Sequence, residues 1–205
     1  MTLTPTLVLA SGSPRRDQLL SAAGFVFEIV PPELEETALP GETPAEMAVR
    51  LASEKAREVA ARVEPDRLVL GVDTVVAVGD RMLGKPIDTA DATRMLLLLS
   101  GRTHTVYTAY AVVGFGDDQT GIDETRVTMR IITPAEAAAY SATGEPLDKA
   151  GAYAIQGGAN RFITAVDGSR SNVMGLPLEV VGPLLAARGI TPRPSAGDTA
   201  GDIDP

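Results

Sequence analysis

The chain has 205 residues, no cysteine, no tryptophan, one histidine and a formal net charge of -9. Disulfides, thiolate chemistry and a multi-histidine zinc site are therefore excluded, and the negative charge argues against broad attraction to nucleic-acid backbones or anionic membranes. With 44% hydrophobic residues, the length suffices for one α/β domain or two small lobes sharing a sheet. Residues 7–9 are an apolar run and read as a first strand. A turn of small residues follows. Pro14 then suits a first helical position, and Leu19, Leu20 and Ala23 form an apolar stripe. Arg15 and Arg16 thus stand in a first helical turn, where the macrodipole disfavours cations. An anion held there reverses that penalty and points to a phosphate-bearing ligand. Arg16 shares the stripe's spacing and starts on its inward edge.

Residues 25–30 alternate as a strand and end at Pro31-Pro32, before an acidic loop with Glu33, Glu35 and Glu36. Thr43-Pro44-Ala45-Glu46 is a capping-box opening for a helix running to about residue 62, with Lys55 in the middle of its apolar stripe. The valine-rich segment 68–78 reads as a strand broken only by Gly71, Asp73 and Thr74, and Gly79-Asp80 as a hairpin turn. Thr89 is expected to cap a helix through Leu99. Long strands are expected over 103–115 and 125–132, joined by a polar Gly/Asp loop. Thr133 opens a helix ending near Gly144, a glycine-rich loop spans 151–158, and a strand over 162–166 and a helix over 178–188 follow. Parallel pairing early and hairpins in the middle imply a mixed α/β sheet flanked by helices. From residue 191 onward Pro, Gly, Ala and Asp dominate without periodicity and predict a disordered acidic tail. No signal peptide or membrane-spanning run is evident, so the expected compartment is the cytoplasm, with no nucleic-acid or membrane partner.

Two charged residues fall in apolar surroundings; Asp73 is read as a functional acid, and for Lys55 a snorkelling stem and a role in a polar cleft both stay open. Asp73 lies in an apolar strand, where a carboxylate must be paired, hydrogen-bonded or metal-bound, and Lys55 lies on an apolar helix face. Arg15, Arg16, Lys55 and Lys85 supply cations; Glu36 and Asp73 supply carboxylates able to hold magnesium and orient a water. That set suits hydrolysis of a phosphate ester or phosphoanhydride. Residues 79–86 nearly match a P-loop, but Pro86 replaces the hydroxyl and Gly79 falls at a hairpin, so that reading is rejected. His104 is read as structural.

In these segments the chain resembles the Maf family of nucleoside triphosphate pyrophosphatases. The resemblance rests on Ser11-Gly12-Ser13-Pro14-Arg15-Arg16, Glu54-Lys55-Ala56, Gly71-Val72-Asp73-Thr74, Gly84-Lys85-Pro86, Ser100-Gly101-Arg102-Thr103-His104, the run from Glu145 to Tyr153, and Gly175-Leu176-Pro177-Leu178. It implies one domain over residues 1–190, with two lobes around a central cleft as in inosine triphosphate pyrophosphatases. It implies hydrolysis of a nucleoside triphosphate to the monophosphate and pyrophosphate with Mg²⁺ or Mn²⁺, and a homodimer. Asp73 matches the family's proton acceptor; Ser13, Arg16, Lys55 and Lys85 match phosphate-binding positions, and Glu36 and Asp73 metal-binding ones. Arg15, Thr74 and Gln156 resemble the branch acting on dTTP and UTP. A glutamine amide offers both a donor and an acceptor to a uracil or thymine edge. Two other readings accompany this one: a broad enzyme clearing modified pyrimidine nucleotides, and a nucleotide-sensing regulator of septum formation acting through a partner.

Overall fold

The computed structural model describes residues 6–193; the tail expected from residue 191 falls outside them from residue 194 onward. The chain opens with β1 (Thr6–Ala10), α1 (Pro14–Ala22), β2 (Phe27–Ile29) and α2 (Pro44–Ala60). The capping box at Thr43 is complete: its hydroxyl accepts the Glu46 amide, and the Glu46 carboxylate accepts the Thr43 amide. β3 (Arg67–Val78) turns through Gly79-Asp80 into β4 (Arg81–Leu83), with Val78 opposite Arg81. Gly79 takes the positive φ of 55° that such a two-residue turn requires. The P-loop reading is thereby excluded, since no helix starts at this turn.

The remaining elements are α3 (Thr89–Leu99), β5 (Thr103–Val113), β6 (Gln119–Met129), α4 (Pro134–Ser141), β7 (Ile163–Asp167), α5 (Arg170–Val173) and α6 (Leu178–Ala187). Short 3-10 turns over Glu145–Asp148, Ala150–Ala152 and Gly158–Phe162 separate α4 from β7. Three expectations need correction. Asp88, not Thr89, caps α3, its carboxylate accepting the Asp91 amide at 2.7 Å. The strand β2 is shorter than residues 25–30. β6 starts at Gln119 rather than residue 125, inside what reads as a polar loop. Among the described residues its first half pairs with β5 alone, because β7 joins no earlier than Arg126, and a strand with one unpaired edge and exposed faces carries polar residues.

The sheet is mixed, in the order β2-β1-β3-β5-β6-β7, with β4 added to β3. β1 is parallel to both β2 and β3; the other pairs are antiparallel. Strand alternation divides β3 between two cores. Leu68, Leu70 and Val72 pack with Leu20 of α1 and Val181 and Leu185 of α6. Val69 and Val75 face Ala48, Ala52 and Ala56 of α2 on the other side. From Val76 onward the strand joins a third core with α3 and α4. β3 and β5 thus run through two lobes.

One feature of the register positions the site. The β1 ladder ends where Ala10 faces Gly71, and the β4 ladder begins where Val76 faces Leu83. Along that edge, residues 72–75 of β3 have no strand beside them among the described residues.

Candidate active site

The gap beside residues 72–75 opens into a groove of about 550 Å³. Arg15, Arg16, Lys55 and Lys85 line it against three carboxylates, Glu36, Asp73 and Asp148, and Ser13 and Thr74 complete the wall. An adjoining recess of about 40 Å³ shares Ser13, Arg15, Arg16 and Thr74 and adds Tyr153 and Gln156. Every site residue expected from the sequence thus lines one or both of these neighbouring cavities, Gln156 the recess alone. His104 stands apart: it is buried, and its Nε2 lies 2.8 Å from the Tyr153 hydroxyl. Burial pushes it down to about 4, so at neutral pH it is an uncharged structural group.

Lys55 is the centre of the groove's charge pattern. It is 3% exposed, and its Nζ lies 2.5 Å from Asp73 Oδ1 and 2.7 Å from Glu36 Oε1. The sequence places it there through α2: Lys55 shares a turn with Ala52 and Ala56, which lie on β3 at Gly71. A Cβ on Gly71 would come within 2.7 Å of the Ala56 amide nitrogen. Asp73 is two residues further along the same strand face, directly within the lysine's reach.

The two carboxyls around this ammonium are pushed apart. Burial raises Asp73, against the pull of Lys55 and Arg16, and nearby Glu36 adds to the rise. Glu36 is half exposed; burial raises it too, but the Lys55 hydrogen bond and the charges of Lys55, Lys85 and Arg16 hold it below the usual range. Asp73 is thus the better proton acceptor of the two and Glu36 the more firmly anionic.

Arg16 is splinted on all three nitrogens. Nε donates to the Gly175 carbonyl at 2.9 Å, Nη1 to Ser11 Oγ at 3.1 Å and Nη2 to Thr74 Oγ1 at 3.1 Å. Burial lowers its pKa, with Arg15 adding to the fall and Asp73 and Glu36 opposing it; a guanidinium stays charged regardless. Behind Thr74 runs a chain of fixed direction. Thr108 gives its proton to the Asn172 carbonyl at 3.0 Å, so across its 3.0 Å contact with Thr74 it must accept, leaving Thr74's lone pairs for Arg16. Arg15 is less constrained, with Nη1 3.2 Å from Asp148 Oδ2.

Sequence reasoning missed several of these supports. Ser11 and Asp148 stood inside the motifs that carry the resemblance. Thr108 is an inward hydroxyl on a strand, Asn172 belongs to the unpredicted α5 segment, and Gly175, which follows it, opens the Gly175-Leu176-Pro177-Leu178 motif.

The family model described as Maf-like protein matches residues 6–188. The chain belongs to the Maf-like family. Relatives in that family include a dTTP/UTP pyrophosphatase of Geobacter sulfurreducens, 48% identical over 180 residues, covering 85% of this chain and 93% of that protein. A second, from Moorella thermoacetica, is 50% identical over 186 residues, covering 90% and 95%. Among solved structures, a nucleoside-triphosphatase described as a dITP/XTP pyrophosphatase from Mycobacterium abscessus is 19% identical with a TM-score of 0.40, covering 68% of this chain and 95% of that one.

Proposed function

We propose that this chain hydrolyses the α,β-phosphoanhydride of a pyrimidine nucleoside triphosphate, dTTP or UTP, to the monophosphate and pyrophosphate. The observation that carries the reading is the buried Lys55–Asp73 pair, joined from the rim by Glu36, in a groove that also gathers Arg15, Arg16 and Lys85. The names of its relatives in the Maf-like family support the same activity and the same pair of substrates.

In this reading the triphosphate lies in the groove, its negative charge met by Arg16, Lys55 and Lys85, with Arg15 and Ser13 bridging to the recess. Water attacks the α-phosphorus, its proton passes to the Asp73 carboxylate, the α–β bridging bond breaks and pyrophosphate leaves. The raised pKa of Asp73 suits a proton acceptor, since basicity is matched to the task when desolvation lifts a carboxyl. Arg16 and the lysines stabilise the charge that grows on the departing pyrophosphate, the main contribution available in such transfers.

Among the described residues no group of three or more His, Cys, Asp or Glu side chains could hold a metal ion. Two carboxylates converging on one ammonium do fit a divalent ion completed by substrate phosphates, because Mg²⁺ prefers oxygen ligands and takes only one or two carboxylates from a protein. Glu36 and Asp73 are the residues that would hold Mg²⁺ or Mn²⁺, which supplies neutralisation of phosphate charge when bound.

The test is product analysis on dTTP, UTP, CTP and a purine triphosphate, with and without magnesium. Pyrophosphate released from dTTP and UTP in preference to the others is the expected result, abolished in Asp73→Asn with nucleotide binding retained. Orthophosphate as the first product, or an Asp73→Asn variant at near-normal rate, overturns the reading.

A further inference from the structure

The segment from Glu145 to Tyr153 belongs to the family-like motifs but contributes only Asp148, Lys149, Ala150 and Tyr153 to the two cavities. Glu145 itself lines neither. Its carboxylate instead reaches the loop that carries Gln156. Oε1 and Oε2 each lie 3.1 Å from the Gly158 amide, and Oε1 also accepts the Tyr140 hydroxyl at 2.9 Å. The same Tyr140 oxygen accepts the Ala154 amide at 3.1 Å. Between those two anchored amides the chain makes one turn, with the Gly157 amide bonded to the Ala154 carbonyl at 3.1 Å. Gln156 sits at that turn, exposed, with its neighbour Ile155 buried.

One anchor is itself held in the core. Tyr140 is 1% exposed and stacks edge-on against Phe162, ring centroids 5.8 Å apart. Gly157 leaves room for the carboxylate: a Cβ there would sit 2.6 Å from Glu145 Cδ and collide with Oε1. The φ of Gly157 is -109°, open to any residue, so it is contact with Glu145 rather than backbone conformation that favours glycine.

We propose that Glu145 and Tyr140 are positioning residues for base selection, clamping the turn 154–158 so that the Gln156 amide meets a pyrimidine base from one fixed backbone position. The inference rests on the reading of Gln156 as the residue that contacts the base. A primary amide turned over exchanges its donor and acceptor and then matches cytosine as well as uracil. That rotation is about the side chain's own terminal torsion; what the clamp supplies is a constant position of the Gln156 backbone, so that the amide reaches the base edge at hydrogen-bond distance and its discrimination is kept. Neither Glu145 nor Tyr140 touches the nucleotide; both act through the loop.

The experiment measures kcat and KM for UTP and CTP, with melting temperatures, in Glu145→Ala, Glu145→Gln, Gly157→Ala, Gln156→Ala and the Glu145→Ala/Gln156→Ala pair. Glu145→Ala and Gly157→Ala are expected to raise KM for UTP about tenfold, the equivalent of one or two hydrogen bonds, with kcat changed less than about threefold. The UTP to CTP ratio of kcat/KM falls with it, and Glu145→Gln, which keeps one acceptor oxygen, recovers most of the loss. In the double variant Glu145→Ala adds nothing to Gln156→Ala. A lowered melting temperature with the ratio unchanged, a loss confined to kcat, or full additivity with Gln156→Ala overturns the clamp. If Gln156→Ala itself leaves the ratio unchanged, the reading of Gln156 falls and the clamp with it. If Gln156→Ala shifts the ratio while Glu145→Ala and Gly157→Ala do not, only the clamp falls. Should Glu145→Ala fail to fold, Gly157→Ala carries the same test with the carboxylate intact.

Discussion

Lys55→Met isolates the interaction at the centre of the site. Lys55 and Asp73 are 3% and 4% exposed, and their 2.5 Å contact is a buried ion pair. Removing one partner of such a pair costs about 3–5 kcal/mol, because the other charge stays buried without compensation. Here Asp73 would keep only Arg16 as an opposing charge, with Glu36 as a like one, so its pKa rises further than in the native protein. An acid whose folded pKa lies above its unfolded value holds more protons folded than unfolded between the two. Stability therefore falls as pH rises through that window, by about 1.4 kcal/mol per unit, and then levels off. The variant should come closest to native stability near pH 4, at the low end of that window, and lose about 3–5 kcal/mol by pH 8. Urea unfolding at both pH values measures this, and Lys55→Met/Asp73→Asn, which removes both charges, should restore most of the loss at pH 8. A Lys55→Met variant destabilised by less than about 1 kcal/mol, equally at both pH values, would refute the argument that the pair is buried and charged.

His104 gives a second pH signature: its pKa is 6.5 unperturbed and about 4 in the fold, so its contribution is complete above 6.5 and is lost as pH falls toward 4. His104→Asn should flatten that part of the stability profile, read by thermal melts between those limits. Thr108→Val deletes the acceptor for Thr74 and the donor to the Asn172 carbonyl. It should cost about 1–3 kcal/mol and reduce kcat/KM by loosening Arg16, both checked by denaturation and steady-state kinetics. Gly71→Ala should force α2 off β3, since its Cβ would meet the Ala56 amide nitrogen and Cβ at 2.7 and 2.8 Å. The expected loss is about 1–3 kcal/mol with a fall in kcat as Lys55 moves away from Asp73, and a variant with native kcat would show that the close approach does not set the pair.

The legible part of the site was legible for one physical reason. Asp73 and Lys55 are charges placed where periodicity demands apolar residues, so the sequence itself displays the conflict that the ion pair resolves. Arg16 shows the same conflict at a helix start and is likewise buried. Glu36 carries no such mark. It is one of three glutamates in a polar loop, singled out in the sequence by the family resemblance alone and in the structure by its approach to Lys55 at 2.7 Å. The link from Arg16 to its supports was hidden by distance: Gly175 stands in a family-like motif but 159 residues away along the chain, so nothing local joins it to the arginine. The beginning of β6 was hidden for the opposite reason, because an exposed strand edge has the composition of a loop.

The gap in the sheet lets one strand present side chains from both of its faces to a single groove. Asp73 and Thr74 are consecutive, and consecutive strand residues point to opposite faces. Asp73 accordingly meets Lys55 on the α2 face, whereas Thr74 meets Arg16 and Thr108 on the face of α1 and α6. In an unbroken sheet those two side chains would be separated by the neighbouring strand. Because β1 stops opposite Gly71 and β4 starts opposite Val76, both faces communicate around the end of β1, and both residues line the same groove. The same end of β1 delivers the arginines of α1, as open α/β sheets characteristically present their ligands at the carboxyl ends of parallel strands. A nucleotide lying across that gap would have its phosphates on the Asp73 side and its base toward the recess on the Thr74 side. The two-residue step along β3 from Gly71 to Asp73 would then align hydrolysis with α2, and the single step to Thr74 would align base selection with the clamped loop.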